Sequence, residues 1–106
     1  MTQNGKQNEK IIVHADDDTA DIIPGFLKNR HRDVETLEDA LQNNDYESIG
    51  ILGHSMKGMG GGYGFDAITD IGMSLEQAAE EKDTGEIRRQ AEVLSNYLER
   101  VEVRYE

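Results

Sequence analysis

The sequence predicts an all-α protein, an antiparallel up-down four-helix bundle with a short N-terminal extension. Three observations predict it. Apolar residues recur at three- and four-residue steps in four successive stretches, the stripe of an amphipathic helix. The connections between the stretches are short, as antiparallel neighbours require. The 106 residues contain a single proline, and β-branched runs are few. Strands do not alternate with helices, which excludes a doubly wound parallel sheet. The chain divides into a mobile or extended segment, 1–17, and a bundle, 18–106. Helices are expected at roughly 18–43, 45–61, 65–81 and 84–104, to within a few residues at each end.

Met1 to Lys10 is polar and without periodicity. Ile11-Ile12-Val13 is a short strand-like run with no second strand evident in the chain. It is expected to lie extended against the bundle or to pair with another chain. His14 beside it reads as a surface residue. Asp16-Asp17-Asp18 precedes the first helical pattern. No glycine turn or distal glutamate follows at calcium-loop spacing, so Asp18 is read as an N-cap and its neighbours as complements to the helix dipole. Pro24 predicts a lead-in turn and then a kink or restart. Leu27, Val34, Leu37 and Leu41 carry the stripe of the first helix. Lys28-Asn29-Arg30-His31-Arg32 is the basic cluster. It is either a solvated face with Arg30 snorkelling from the stripe, or a patch that meets an acidic partner.

Asn44 and Glu47 have capping-box spacing for the second helix. Its buried side is Tyr46, Ile49, Leu52, Met56 and Met59, and the glycines from 60 to 64 make the next turn. Ile68, Ile71, Leu75 and Ala78 or Ala79 face inward in the third helix, where Gly72 permits close approach. Lys82-Asp83 ends it, and Asp83 with Glu86 repeats the capping-box spacing. Ile87, Ala91, Leu94, Leu98 and Val101 form the fourth stripe.

Composition narrows the function. The formal net charge of −11 argues against nucleic acid as a partner. Cysteine is absent, so neither disulfides nor thiolate metal sites are expected. No apolar run approaches membrane-spanning length, and the N-terminus lacks a signal-peptide core. A cytoplasmic protein without a membrane partner is the expectation.

The chemistry concentrates between Gly50 and Phe65, which hold one imidazole, one ammonium and most of the eleven glycines. At about 100° per residue, His54 lies roughly 165° from the centre of the apolar stripe, and Gly50, Lys57 and Gly61 project within about 50° of the same outer pole. Each interior glycine costs a helix about 0.8–1 kcal/mol relative to alanine, so propensity does not explain them. Bare backbone around an exposed imidazole would let another protein bring a reactive group close to the ring. The competing reading is a loop with an incidental histidine; the apolar stripe that persists through the glycines weighs against it.

His54-x-x-Lys57-Gly58, with Gly64 six residues on, resembles the signature of histidine-containing phosphotransfer (HPt) domains. The likeness runs from about Ala20 to Val101. It implies that His54 is the phosphoacceptor and that Lys57 compensates phosphoryl charge. It also implies that Gly50, Ile51, Gly58 and Gly61 belong to the surface met by the partner. The implied partners are a response-regulator receiver domain and an upstream hybrid histidine kinase. The chain would be a stoichiometric intermediate without autokinase activity or a cofactor of its own. Mg²⁺ would come from the receiver.

Other chemistries fit less well. Lys57 is followed by no Ser or Thr at Walker spacing, and G-x-G-x-x-G fails from Gly58 and from Gly60. Ser55 adjoins His54, but neighbouring helical residues diverge by about 100° and do not pair. His14, His31 and His54 show no zinc-ligand spacing. Taken alone, the spacing shows only an accessible nucleophile with a cation one turn away. Two further readings remain: a helical docking module that binds receiver domains without being phosphorylated, and a structural acidic bundle.

Overall fold

The computed structural model describes residues 9–106. The readings of residues 1–8 lie outside this range. Four helices form the bundle: α1 (Ile23–Gln42), α2 (Tyr46–Gly60), α3 (Asp66–Glu81) and α4 (Thr84–Arg100). Two five-residue strands, β1 (Ile11–Ala15) and β2 (Val101–Tyr105), pair in parallel with Ile11 opposite Val101 and Ala15 opposite Tyr105.

The predicted stripes supply much of the core, but the buried side of α1 also runs through Ile23 and Phe26, which the stripe of Leu27, Val34, Leu37 and Leu41 did not include. Ile23, Leu37, Ile49, Met56, Ile68, Leu75, Ile87 and Leu94 are all sealed from solvent, together with Phe65 from the α2–α3 connection. Leu27, Val34, Tyr46, Leu52 and Met59 are half-buried around them. Phe26 lies between Tyr63 and Phe65, with ring centroids at 5.0 and 5.4 Å, an arrangement that adds to simple area burial.

Several ends differ from the sequence reading. Asp18 does not cap α1. It sits in a single 3-10 turn, Asp17–Thr19, and the helix starts at Ile23 with Pro24 in its first turn. There proline gives up no intrahelical bond. Asp45, not Asn44, caps α2: its carboxylate accepts from the Ser48 amide at 3.1 Å and the Ser48 hydroxyl at 2.7 Å. Asn44 instead takes the left-handed conformation (φ 55°) that turns the chain, a role that asparagine tolerates better than most residues. Asp83 caps α4 as expected, accepting from the Glu86 amide. The Glu86 carboxylate turns to Arg89 and Gln90 rather than back to the cap.

The fourth helix was expected to reach residue 104, but it stops at Arg100, and Val101–Tyr105 is strand. The apolar residues 101, 103 and 105 alternate, the pattern of a half-buried strand. They pack on the core with Ile11, Val13 and Ala15 of β1. The partner that Ile11-Ile12-Val13 lacked in the sequence is therefore β2 of the same chain.

Arg30 neither snorkels nor meets solvent. It is buried, its Nε donates to Asp33 Oδ2 at 2.6 Å, and its guanidinium lies 4.8 Å from the Phe26 ring centre. The other members of the basic cluster, Lys28, Asn29, His31 and Arg32, are exposed. Burial outweighs Arg30 at Asp33 and raises the carboxyl above its usual range.

Candidate functional site

The site is built where α2 meets α3, the most extensive helix contact of the bundle. Glycine makes that contact possible. A Cβ on Gly72 would lie 2.5 Å from the Lys57 nitrogen and 2.6 Å from the Gly53 oxygen. A Cβ on Gly53 would lie 2.7 Å from the Glu76 nitrogen, and one on Gly60 2.7 Å from the Thr69 nitrogen. These are backbone atoms, so the two helices can sit this close only if the positions stay bare.

This revises the reading of the glycine-rich stretch. Gly53 and Gly60 face α3, not a partner. Gly50 and Gly61 are in ordinary contact range of Ala79 and Thr69, each at 3.6 Å, so they lean toward the α3 side of the outer pole. Gly58 and Gly62 border open space, and only these two answer to a need for bare backbone on the outer surface.

His54 stands in the middle of α2 with its side chain 70% exposed. Close approach of α3 brings Glu76 beside it. His54 Nδ1 is 3.0 Å from Glu76 Oε2, and Lys57 Nζ is 2.9 Å from Glu76 Oε1. One carboxylate thus bridges the imidazole and the ammonium. Lys57 leans across the α2–α3 groove to do so and is half-buried rather than fully outward. The bond from Lys57 first, and then that from His54, holds the Glu76 carboxyl below its ordinary range. Near neutral pH Glu76 is therefore ionised and can only accept. The proton of the contact belongs to His54 Nδ1, and whenever the ring is neutral its lone pair is on Nε2.

Around this triad the surface is partly apolar. Ile51, one turn before His54, is 64% exposed, and Met73, one turn before Glu76 on α3, is 52% exposed. A shallow depression of about 220 Å³ is lined by Lys57, Met73, Glu76, Gln77 and Glu80. It is too small and open for a nucleotide. His14 is elsewhere, bonded to Glu106.

The predicted residues His54, Lys57, Ile51 and Gly58 thus share one surface. Glu76 was missed. Its signal was present, since it lies one turn after Gly72 on the helix face for which close approach was expected.

The family model of the Hpt domain matches residues 21–103. The chain belongs to the Hpt domain family. No match was found among curated proteins or among solved structures. Membership assigns this Hpt domain to phosphorelay signalling, in which Hpt domains act as phosphocarriers rather than enzymes and interact with receiver domains and kinases. Among the described residues no helix is long and apolar enough to cross a membrane.

Proposed function

We propose that this Hpt domain carries a phosphoryl group on His54 Nε2, accepting it from and returning it to receiver-domain aspartates, without autokinase activity. The observation that supports this best is the Glu76 bridge, which fixes the imidazole tautomer with Nδ1 protonated and Nε2 outward. The Nε2 lone pair attacks the phosphorus of an aspartyl phosphate. The P–Nε2 bond forms as the P–O bond to the aspartate breaks, and the aspartate leaves as a carboxylate. The ring gains positive charge in this step, and the Glu76 carboxylate on Nδ1 offsets it. Lys57 is within one helical turn and can move its ammonium from Glu76 toward the phosphoryl oxygens, where charge compensation is the protein's main task. Mg²⁺ would arrive with the receiver. Gly58 leaves room for the partner beside the ring, with Ile51 as an apolar contact, while Gly50 and Gly61 mark the α3-side margin of the same surface.

The test is incubation with a phosphorylated receiver domain. Acid-labile, alkali-stable phosphate is expected on wild-type protein and none on His54→Gln. Binding of the receiver without any uptake by the wild type would favour the docking module instead. Uptake by His54→Gln would move the phosphoacceptor to another residue.

A further inference from the structure

The parallel pair β1–β2 is a sheet of only two strands among the described residues, so each strand has one edge turned away from its neighbour. The end of the ladder sets its phase. Glu106 N–H donates to Ala15 O at 2.9 Å, and Asp17 N–H donates to Glu106 O at 3.2 Å. In a parallel ladder a residue bonded on both sides alternates with one whose N–H and C=O point to the other edge. Glu102 and Arg104 thus bond toward β1, whereas Val103 and Tyr105 present their backbone groups outward. The Val101 N–H is already used by the Tyr97 carbonyl at the end of α4.

We propose that the outer edge of β2 is a homodimer interface, in which β2 pairs antiparallel with β2 of a second copy about a two-fold axis at Val103. Unsatisfied strand edges are templates for another chain, and the charges of this strand fit a second copy of itself. With Val103 opposite the partner's Val103, the outward backbone groups of the two valines exchange both hydrogen bonds. Tyr105 N–H then reaches the partner's Val101 carbonyl. On the solvent face Glu102 falls opposite the partner's Arg104, and Arg104 opposite the partner's Glu102. These are non-hydrogen-bonded pairs, the ones in which facing side chains come closest. On the other face valine meets valine and tyrosine meets valine. Within one chain Arg104 Nη2 already lies 3.2 Å from Glu102 Oε2, so the two charges sit on the same side of the strand, ready to be exchanged across the axis. The outer edge of β1 has no such complementarity, because the same operation about Val13 would set Ile12 against His14.

The self-complementary pair makes the proposal testable by charge swapping. The full chain is followed by sedimentation equilibrium over a range of concentrations, with far-UV dichroism to confirm helix content. Wild type is expected to dimerise. Arg104→Glu and Glu102→Arg each place like charges opposite one another in the homodimer and are expected to weaken it by about tenfold or more. Mixing these two variants should restore a dimer, as should the double variant Glu102→Arg with Arg104→Glu. A wild type that stays monomeric throughout overturns the proposal. So does a dimer indifferent to the single reversals, or one that neither the mixture nor the double variant recovers.

Discussion

At the residue scale the proposed chemistry turns on one carboxylate shared by an imidazole and an ammonium. Replacing Glu76 by Gln keeps a hydrogen-bond acceptor for Nδ1 but removes the negative charge that offsets the ring. Transfer to His54 should slow while the bundle stays folded, and Glu76→Ala should slow it more. Single-turnover transfer rates beside thermal unfolding check both. Lys57→Ala should slow transfer as well. Gly58 offers a sharper separation of surface from fold. Nothing lies within 4 Å of a Cβ placed there, and its backbone is helical. Gly58→Ala should therefore stabilise the protein by up to about 1 kcal/mol. Gly58→Leu should keep the fold yet impede transfer by filling the space beside the ring. Wild-type transfer by folded Gly58→Leu and Lys57→Ala variants would remove this face from the reaction.

At the element scale the α2–α3 contact decides whether Glu76 reaches His54. Gly53→Ala and Gly72→Ala drive a methyl group into backbone atoms at 2.5–2.8 Å. Overpacking of this kind costs about 1–3 kcal/mol, and here relief requires the helices to separate. Both substitutions are expected to lower the unfolding temperature, the opposite sign to Gly58→Ala one helix face away. They should also reduce transfer, because the Glu76 carboxylate moves with α3. A stabilised Gly72→Ala variant would refute the close-contact reading. The start of α2 is a separate, smaller matter. Asp45 supplies the cap, so Asp45→Ala should cost about 1 kcal/mol, measurable by denaturant titration.

At the scale of the whole molecule, stability depends on groups of opposite sign. Glu76, Asp45 and Glu86 are carboxyls held below their ordinary range by hydrogen bonds, from Lys57, Ser48 and Arg89 first in each case. Groups with depressed folded pKa values stabilise above the unfolded pKa and lose that contribution as pH falls through the folded one. Asp33 is raised by burial, so its contribution has the reverse sign, present in acid and lost as pH rises through its folded pKa. Three depressed carboxyls against one raised predict an unfolding temperature that falls as pH is lowered below the usual carboxylate range. The fall should be shallower in Glu76→Gln, which has lost one of the three. Removing Arg30 tests the buried pair directly. Arg30→Met leaves the Asp33 carboxylate without its cation in the interior and should cost about 3 kcal/mol. Adding Asp33→Leu to that variant should recover much of the loss, because no buried charge then remains.

The four helices were legible in the sequence because their stabilisation is local and periodic. The stripes through Leu37, Met56, Leu75 and Leu94 repeat at the helical period, and burying that side is favourable in any packing of the four. The exposure of His54 followed from the same period, since a residue opposite the stripe faces solvent. What the sequence could not determine involves atoms far apart along the chain. The β1–β2 pairing joins residues ninety apart. Val101 continues the helical stripe as well as it begins a strand, so local pattern left α4 too long. The interhelical distance between α2 and α3 is set by Gly53 meeting Gly72. Only that distance separates glycines that serve packing from those that bare the outer surface. It also brings Glu76 to His54 Nδ1, and a carboxylate that fixes a tautomer acts through a contact of 3.0 Å, which periodicity in one helix cannot encode.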